Sequence, residues 1–477
     1  MATAYDVVVV GSGPNGLSAA IELQSSGLSV LLIEGSSKIG GGMRTQELTL
    51  PGYLHDVCSA IHPLAIGSPF FSKLPLEKYG LEYIHPPVLA AHPLDDGPSA
   101  LLLNDLAATV SGLGFDGRAY QDLIAPQMER WPRIVDDLLG PLKLPVHPID
   151  MARFGLPALR SALSTAGTFE TKAAKALWSG MCAHSMLPLD KITTSAIGLV
   201  LLVNGHLKGW PLPKGGSQFL ANALLAHFEA LGGKVLTGWF VKSIGELPSS
   251  KAMVFDLSPQ QLLQIAGDRF SSSYKWQLKR YRYGVGVFKL DLALDGPIPF
   301  KDEQARRAGT VHLGGTIEEI ARSESDANNG IHNERPFVLL AQQSLFDATR
   351  APAGKHTVWA YCHVPNGSTK DMTSIIENQI ERFAPGFKDL ILKRHSFNTV
   401  EMEQYNPNYV GGDINGGIMD TRQLYARPVI SLSPYKCAVG IYICSSSTPP
   451  GGGVHGMSGY HAAKRVLGDI FKLHGNL

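Results

Sequence analysis

Three glycines spaced as GxGxxG, Gly11, Gly13 and Gly16, and a carboxylate about twenty residues further on, Glu34, are the first residues whose types and spacing could do chemistry. Glycines at this spacing permit a tight turn, with Pro14 and Asn15 inside it, that lets backbone come close to a pyrophosphate. A helix opening at the turn would offer free N–H groups and the positive end of its dipole to the phosphates. A carboxylate at Glu34 can accept hydrogen bonds from both hydroxyls of a ribose. It would repel a 2′-phosphate, so NADP is a poor candidate. The chemistry these residues point to is dinucleotide binding.

Such a turn says little by itself in a chain with 51 glycines, but here the flanking segments supply the right elements. Val7 to Val10 are four β-branched residues in a row, apolar on both faces, as a central strand of a parallel sheet requires. A small-residue stretch from Leu17 to Leu23 can form the helix, and Val30 to Ile33 form a second strand ending in Glu34. Gly40, Gly41 and Gly42 then lead into Met43, Arg44 and Thr45. NAD dehydrogenases do not need that second loop. Flavoproteins of the glutathione-reductase-like class use one, with a basic residue and a hydroxyl nearby, to line a diphosphate. The cofactor expected is FAD.

Candidate acid/base groups are histidines. PGYLHDVCSAIHP, residues 51–63, should run beside the cofactor and carries His55, Asp56 and His62. No HxH or HxxxH spacing is present, so no metal site is expected, and buried hydrogen bonds by these histidines are the plainer reading. His184 in CAHSMLP falls between two helical patterns; a pocket role and a satisfied core histidine are both open. His455 lies in the glycine loop STPPGGGVHG near the C-terminus. His455, His184 and His62 are therefore the candidate catalytic residues.

The totals bound the rest. At 477 residues the chain should form two lobes, and a net charge of +1 leaves no electrostatic footprint for nucleic acid. Charged residues are only 17%, which fits extensive burial or an apolar surface turned to substrate or membrane. Five cysteines with no CxxC argue against a disulfide framework and a thiol-relay reductase. The first strand begins by Asp6, and no apolar run reaches spanning length, so a cytoplasmic protein is expected, at most peripheral to a membrane. Peripheral membrane contact and a homodimer stay open.

Helical patterns are expected from Tyr120 to Leu139, Phe169 to Met181 and Thr193 to Val203, the makings of a substrate lobe. After the turn PLPKGGSQF, a helix with Leu220, Leu224 and Phe228 on one stripe ends at Gly232-Gly233. Strands are expected at 234–237 and 240–244, the latter beside the adenine with Val241 bonding the ring, and at 251–257. Val287 to Leu294, His312 to Gly315, Pro336 to Ala341 and His356 to His363 read as an antiparallel sheet with one covered face. Ala438 to Cys444 reads as a last strand, followed by Gly452, Gly453, Val454, His455 and Gly456 and a closing helix. Such a helix would turn its positive end to the flavin pyrimidine ring.

Read together, DVVVVGSGPNGLSAA, GGGMRTQEL, PGYLHDVCSAIHP, PLPKGGSQ and STPPGGGVHGMSGYHAA resemble the phytoene-desaturase-related FAD oxidoreductases, in the branch of the pyridine nucleotide-disulfide oxidoreductase domain-containing proteins. The resemblance covers nearly the whole chain. It implies an α/β, glutathione-reductase/amine-oxidase-like, two-segment FAD-binding Rossmann domain (1–69, 210–285 and 430–477) with a mixed sheet-plus-helix substrate lobe (70–209 and 286–429). It assigns the FAD fingerprint to Gly11, Gly13, Gly16 and Glu34, the second loop to Gly40, Gly41 and Thr45, and the terminal loop to Gly452, Gly453, Val454 and Gly456. Amine oxidases usually carry arginine straight after the paired glycines; here Gly42 stands there and Arg44 follows two residues later. The implied function is hydride removal from a largely apolar small molecule by a desaturase or dehydrogenase; the electron acceptor, whether oxygen, a quinone or another protein, is not identified by the sequence. An amine or alcohol oxidase, a non-redox isomerase and a flavin-containing scaffold are the alternatives.

Overall fold

In the computed structural model, which describes residues 4–473, the first strand, β1 (Tyr5–Val10), is the hub of a six-stranded sheet. Val7, Val8 and Val9 are fully buried, each contributing about 2 kcal/mol by leaving water. β1 pairs in parallel with β2 (Val30–Ile33) on one side and with the strand Ser250–Phe255 on the other. Lys234–Leu236 extends the β2 side. Ile441–Ile443 extends the other, with Lys436–Ala438 antiparallel at the edge. The sheet thus gathers three separate stretches of sequence. The helix after β1, α1 (Pro14–Ser25), and the helices Gln218–Ala230 and Met457–Val466 pack on one face. Pro259–Ala266 and Ser272–Lys279 cover the other.

The second sheet has seven strands, in the order Ile391–Phe397, Gly286–Leu294, His356–Val364, Val338–Ala341, Ala308–Leu313, Val88–His92, Ala100–Leu102. Alternation sorts its side chains. Phe288, Leu290, Leu292, Val358, Ala360 and Cys362 face the helix Thr373–Phe383. Trp359, Tyr361, Leu339 and Val287 face the helices Lys172–Cys182 and Thr194–Lys208.

Three expectations need correction. The seven-stranded sheet is covered on both faces, not one, because the helical insert at 117–208 folds back over it. It also contains a parallel pair, Ala308–Leu313 with Val88–His92. Residues 240–244 form no strand. The N–H groups of Gly238 and Trp239 donate to the carbonyls of Ser36 and Glu34, so this segment wraps the loop after β2 and finds no strand partner. Ala438 to Cys444 is broken by a turn at Val439-Gly440 into two short strands of a hairpin.

Candidate functional site

A cavity of about 530 Å³ runs from the C-terminal ends of β1 and β2 into the space under the seven-stranded sheet. The Rossmann end is lined by Gly11, Gly13, Pro14, Asn15, Glu34, Gly41, Gly42, Arg44, Val241 and Asp256. Ligands of open α/β sheets collect at this edge. Gly11 turns the chain with φ +98°. Gly16 packs so closely that a Cβ there would overlap the carbonyl oxygen of Gly11. α1 starts at Pro14 with no side-chain cap, leaving its first N–H groups to the cavity and to Asp256.

Glu34 is already engaged within the chain. One carboxylate oxygen accepts from Ser12 N at 3.0 Å and Ser12 Oγ at 2.5 Å; the other accepts from Ser36 N at 2.8 Å and pairs with Arg44 at 2.9 Å. The second glycine loop therefore docks on the end of β2 through a buried ion pair, and Ser12 of the first loop holds the same carboxylate. Arg44 also lies over the Tyr405 ring at 5.5 Å. Gly42 packs against Tyr409: a Cβ there would stand 2.5 Å from the Tyr409 hydroxyl, so a side chain at 42 would have to displace it.

Several expected contacts fall outside the wall. Met43 is core, and Gly16 and Gly40 stand behind it. Thr45 Oγ1 donates to Asp56 at 2.6 Å, and Asp56 in turn pairs with Arg350 at 2.7 Å. Gly453 and Val454 line the cavity, whereas Gly452, His455 and Gly456 do not. His455 Nδ1 accepts the N–H of Met457 at 3.0 Å, capping the closing helix, and its carbonyl accepts from Ser68. Burial lowers its pKa to about 4. His455 is thus a capping residue one step behind the wall, because Gly456 (φ +68°) turns the chain before the helix begins.

His62 and His184 do reach the cavity. His62 Nε2 meets Ser217 Oγ at 2.7 Å, while its Nδ1 has no partner among the described residues. His184 Nε2 meets His312 Nε2 at 3.2 Å. Burial lowers these pKa values to about 4 and about 3, so both rings are neutral near pH 7, each with one ring nitrogen unprotonated. Around them the lobe end is apolar and aromatic: Leu201, Trp210, Leu339, Trp359, Tyr361 and Ile414. Trp359 and Tyr361 meet edge to face at 5.0 Å.

Four groups went unforeseen. Asp256 sits at the end of its strand, against all three glycines of the first turn. Lys289, buried behind Trp359, pairs with Asp291 at 2.5 Å and holds its ammonium 5.6 Å from the Trp359 ring. Burial pulls the Lys289 pKa down against the attraction of Asp291. His312 backs His184, and Tyr409 backs Gly42. The alternation of FKLDLAL and HTVWAYCHV carried a signal for Lys289 and Trp359, since both fall on one face of adjacent strands. Nothing local marks Asp256.

The Rossmann end fits a dinucleotide cofactor, flavin or pyridine nucleotide. It offers close backbone at the glycines, a buried Asn15 whose Oδ1 has no partner among the described residues, and a continuous path to the apolar end. No group of three or more metal-ligating side chains occurs among the described residues. No helix among them is long and apolar enough to cross a membrane.

Comparison with known proteins agrees with this geometry. Residues 9–70 match the NAD(P)-binding Rossmann-like domain family. The chain is 28% identical to the pyridine nucleotide-disulfide oxidoreductase domain-containing protein 2 of Rattus norvegicus, with 98% of this chain and 94% of that protein covered. It is 23% identical to one of the limonene dehydrogenase polypeptides of Castellaniella defragrans, over 98% of this chain and 95% of that one. Among solved structures, the cyclohexylamine oxidase of Brevibacterium oxydans superposes with a TM-score of 0.60 at 14% identity, over 98% and 99% of the two chains. Along nearly its whole length the chain is similar to the pyridine nucleotide-disulfide oxidoreductase domain-containing proteins, with a match to a Rossmann-like domain over residues 9–70 and a fold like that of amine oxidases.

Proposed function

We propose that the protein is an FAD-dependent oxidoreductase that removes a hydride from a largely apolar substrate, acting as a desaturase or dehydrogenase. The division of the cavity wall carries this reading. Among the described residues its only carboxylates, Glu34 and Asp256, stand at the Rossmann end, and the lobe end is aromatic and aliphatic with two neutral histidines. The lobe end thus lacks a carboxylate to receive a substrate ammonium, and the Trp359 ring already faces Lys289. Both features weigh against an amine. The kinship with the limonene dehydrogenase polypeptide supports a hydrocarbon-like substrate, such as a cyclic terpene.

The residues that would hold FAD are Gly11, Gly13, Pro14 and Asn15 at the diphosphate and Glu34 at the ribose. Gly41, Gly42 and Arg44 would line the second loop, Val241 the adenine, and Gly453 and Val454 the flavin end. When bound, FAD supplies acceptance of two electrons with a hydride. The chain's own part is to exclude water and orient a C–H bond, through Leu201, Trp210, Leu339, Trp359 and Tyr361. Loss of hydride leaves a carbocation-like carbon, and the adjacent proton goes to His184 or His62, completing the double bond. The direct test of the cofactor is denaturation of the purified protein and mass analysis of what it releases. FAD is expected; FMN, or no flavin after incubation with FAD, would overturn the reading.

A further inference from the structure

Asp256 occupies an unusual place for an acid. Its Oδ2 accepts the N–H of Gly16 at 2.9 Å, a Cβ on Gly13 would lie 2.6 Å from the same oxygen, and its backbone oxygen would lie 2.9 Å from a Cβ on Gly11. The side chain is buried, yet the residue faces the cavity. A carboxylate therefore stands against the turn that should receive the two negative charges of a diphosphate. No cation among the described residues is paired with it. The groups facing it are Glu34 from the end of β2 and the Cys444 thiol just after Ile441–Ile443. α1 presents only backbone N–H groups, and Asn408 donates its amide to the Asp256 carbonyl at 2.9 Å. Arg44, the cation that lines this end of the wall, is committed to Glu34.

We propose that Asp256 binds the dinucleotide as the neutral acid, one oxygen keeping the Gly16 N–H and the other donating its proton to a diphosphate oxygen, so that binding takes up a proton wherever the free protein holds Asp256 charged. This rests on the FAD reading above. A charged Asp256 would add repulsion at a few ångströms in a site shielded from water, whereas the neutral acid adds a donor. Burial, reinforced by Glu34, already lifts the Asp256 pKa to about 7, against the pull of the Gly16 and Gly13 N–H groups. Below that pH the acid is formed and binding needs no further proton. Above it, the proton must be taken from solvent, and the dissociation constant rises tenfold per pH unit, about thirtyfold between pH 6 and pH 8.5.

The test dilutes the FAD-loaded full chain at several pH values and reads released FAD by fluorescence, with circular dichroism to check folding. Wild type should weaken about thirtyfold over that interval. Asp256→Asn, whose amide both donates and accepts without titrating, should show a flat profile and bind far tighter than wild type at pH 8.5. Asp256→Ser should give the same flat profile if the asparagine protein does not fold. A wild-type constant unchanged across the range, or a variant as pH-dependent as wild type, overturns the proposal. A chain that holds no FAD at any pH overturns the FAD reading on which it rests.

Discussion

At the scale of single residues, the site depends on which buried charges are matched. Glu34 and Arg44 are matched to each other, with two serines sharing the carboxylate. Glu34→Gln keeps the shape but leaves Arg44 as an uncompensated buried cation, a loss of about 3 kcal/mol or more. The variant should melt at lower temperature and purify largely without flavin absorbance; full flavin occupancy at wild-type stability would contradict the role given to Glu34. His184 is matched differently. It is neutral, backed by His312, and open to the cavity. His184→Gln should retain FAD while slowing substrate-dependent flavin reduction on the order of a hundredfold, the scale of a lost general base. An unchanged rate would move the base to His62.

At the scale of elements, the closing helix locks the first one. Gly459 of Met457–Val466 packs so tightly on the carbonyl of Asn15 in α1 that a Cβ there would overlap it. Gly459→Val should therefore pry the two helices apart at the dinucleotide turn. A loss of about 1–3 kcal/mol in chemical denaturation is expected, with weaker FAD retention. Stability equal to wild type would mean that the helices can part freely. β1, the glycine turn and β2 were legible in the sequence because their signals are local: a β-branched run, a fixed glycine spacing, an acid at a strand end. Lys234–Leu236 and the helix before it were readable for the same reason. The neighbourhood of Asp256 was not, since it arises from pairing between Val10 and Phe255 across more than half the chain. Residues 240–244 looked like a strand by composition, but a strand needs a partner, and the Glu34 loop took their neighbours' N–H groups instead. His455 sat in the right loop, yet the turn at Gly456 decided which way it points.

At the scale of the whole molecule, burial of neutral histidines ties folding to pH. His62, His92, His455 and His461 have pKa values lowered by burial to about 4, and His184 to about 3. Each binds a proton more readily unfolded than folded, so stability is lost as pH falls from about 6.5 toward 4, by several kcal/mol in all. Asp256, raised to about 7, works in the opposite direction and offsets part of this. Melting temperature should therefore fall steadily below pH 6; a constant value down to pH 4.5 would mean that these rings are hydrated. One cavity runs through the molecule, polar at the Rossmann end and apolar at the other. The central claim is that a hydride leaves an apolar substrate there. Its most direct test is anaerobic stopped-flow mixing of the FAD-loaded protein with a panel of cyclic terpenes, alcohols and amines, read at the flavin absorbance. The expected result is two-electron bleaching by a terpene of the limonene class, slowed by deuterium at the broken C–H bond. Bleaching by amines alone, or product formed while the flavin stays oxidised, would contradict it.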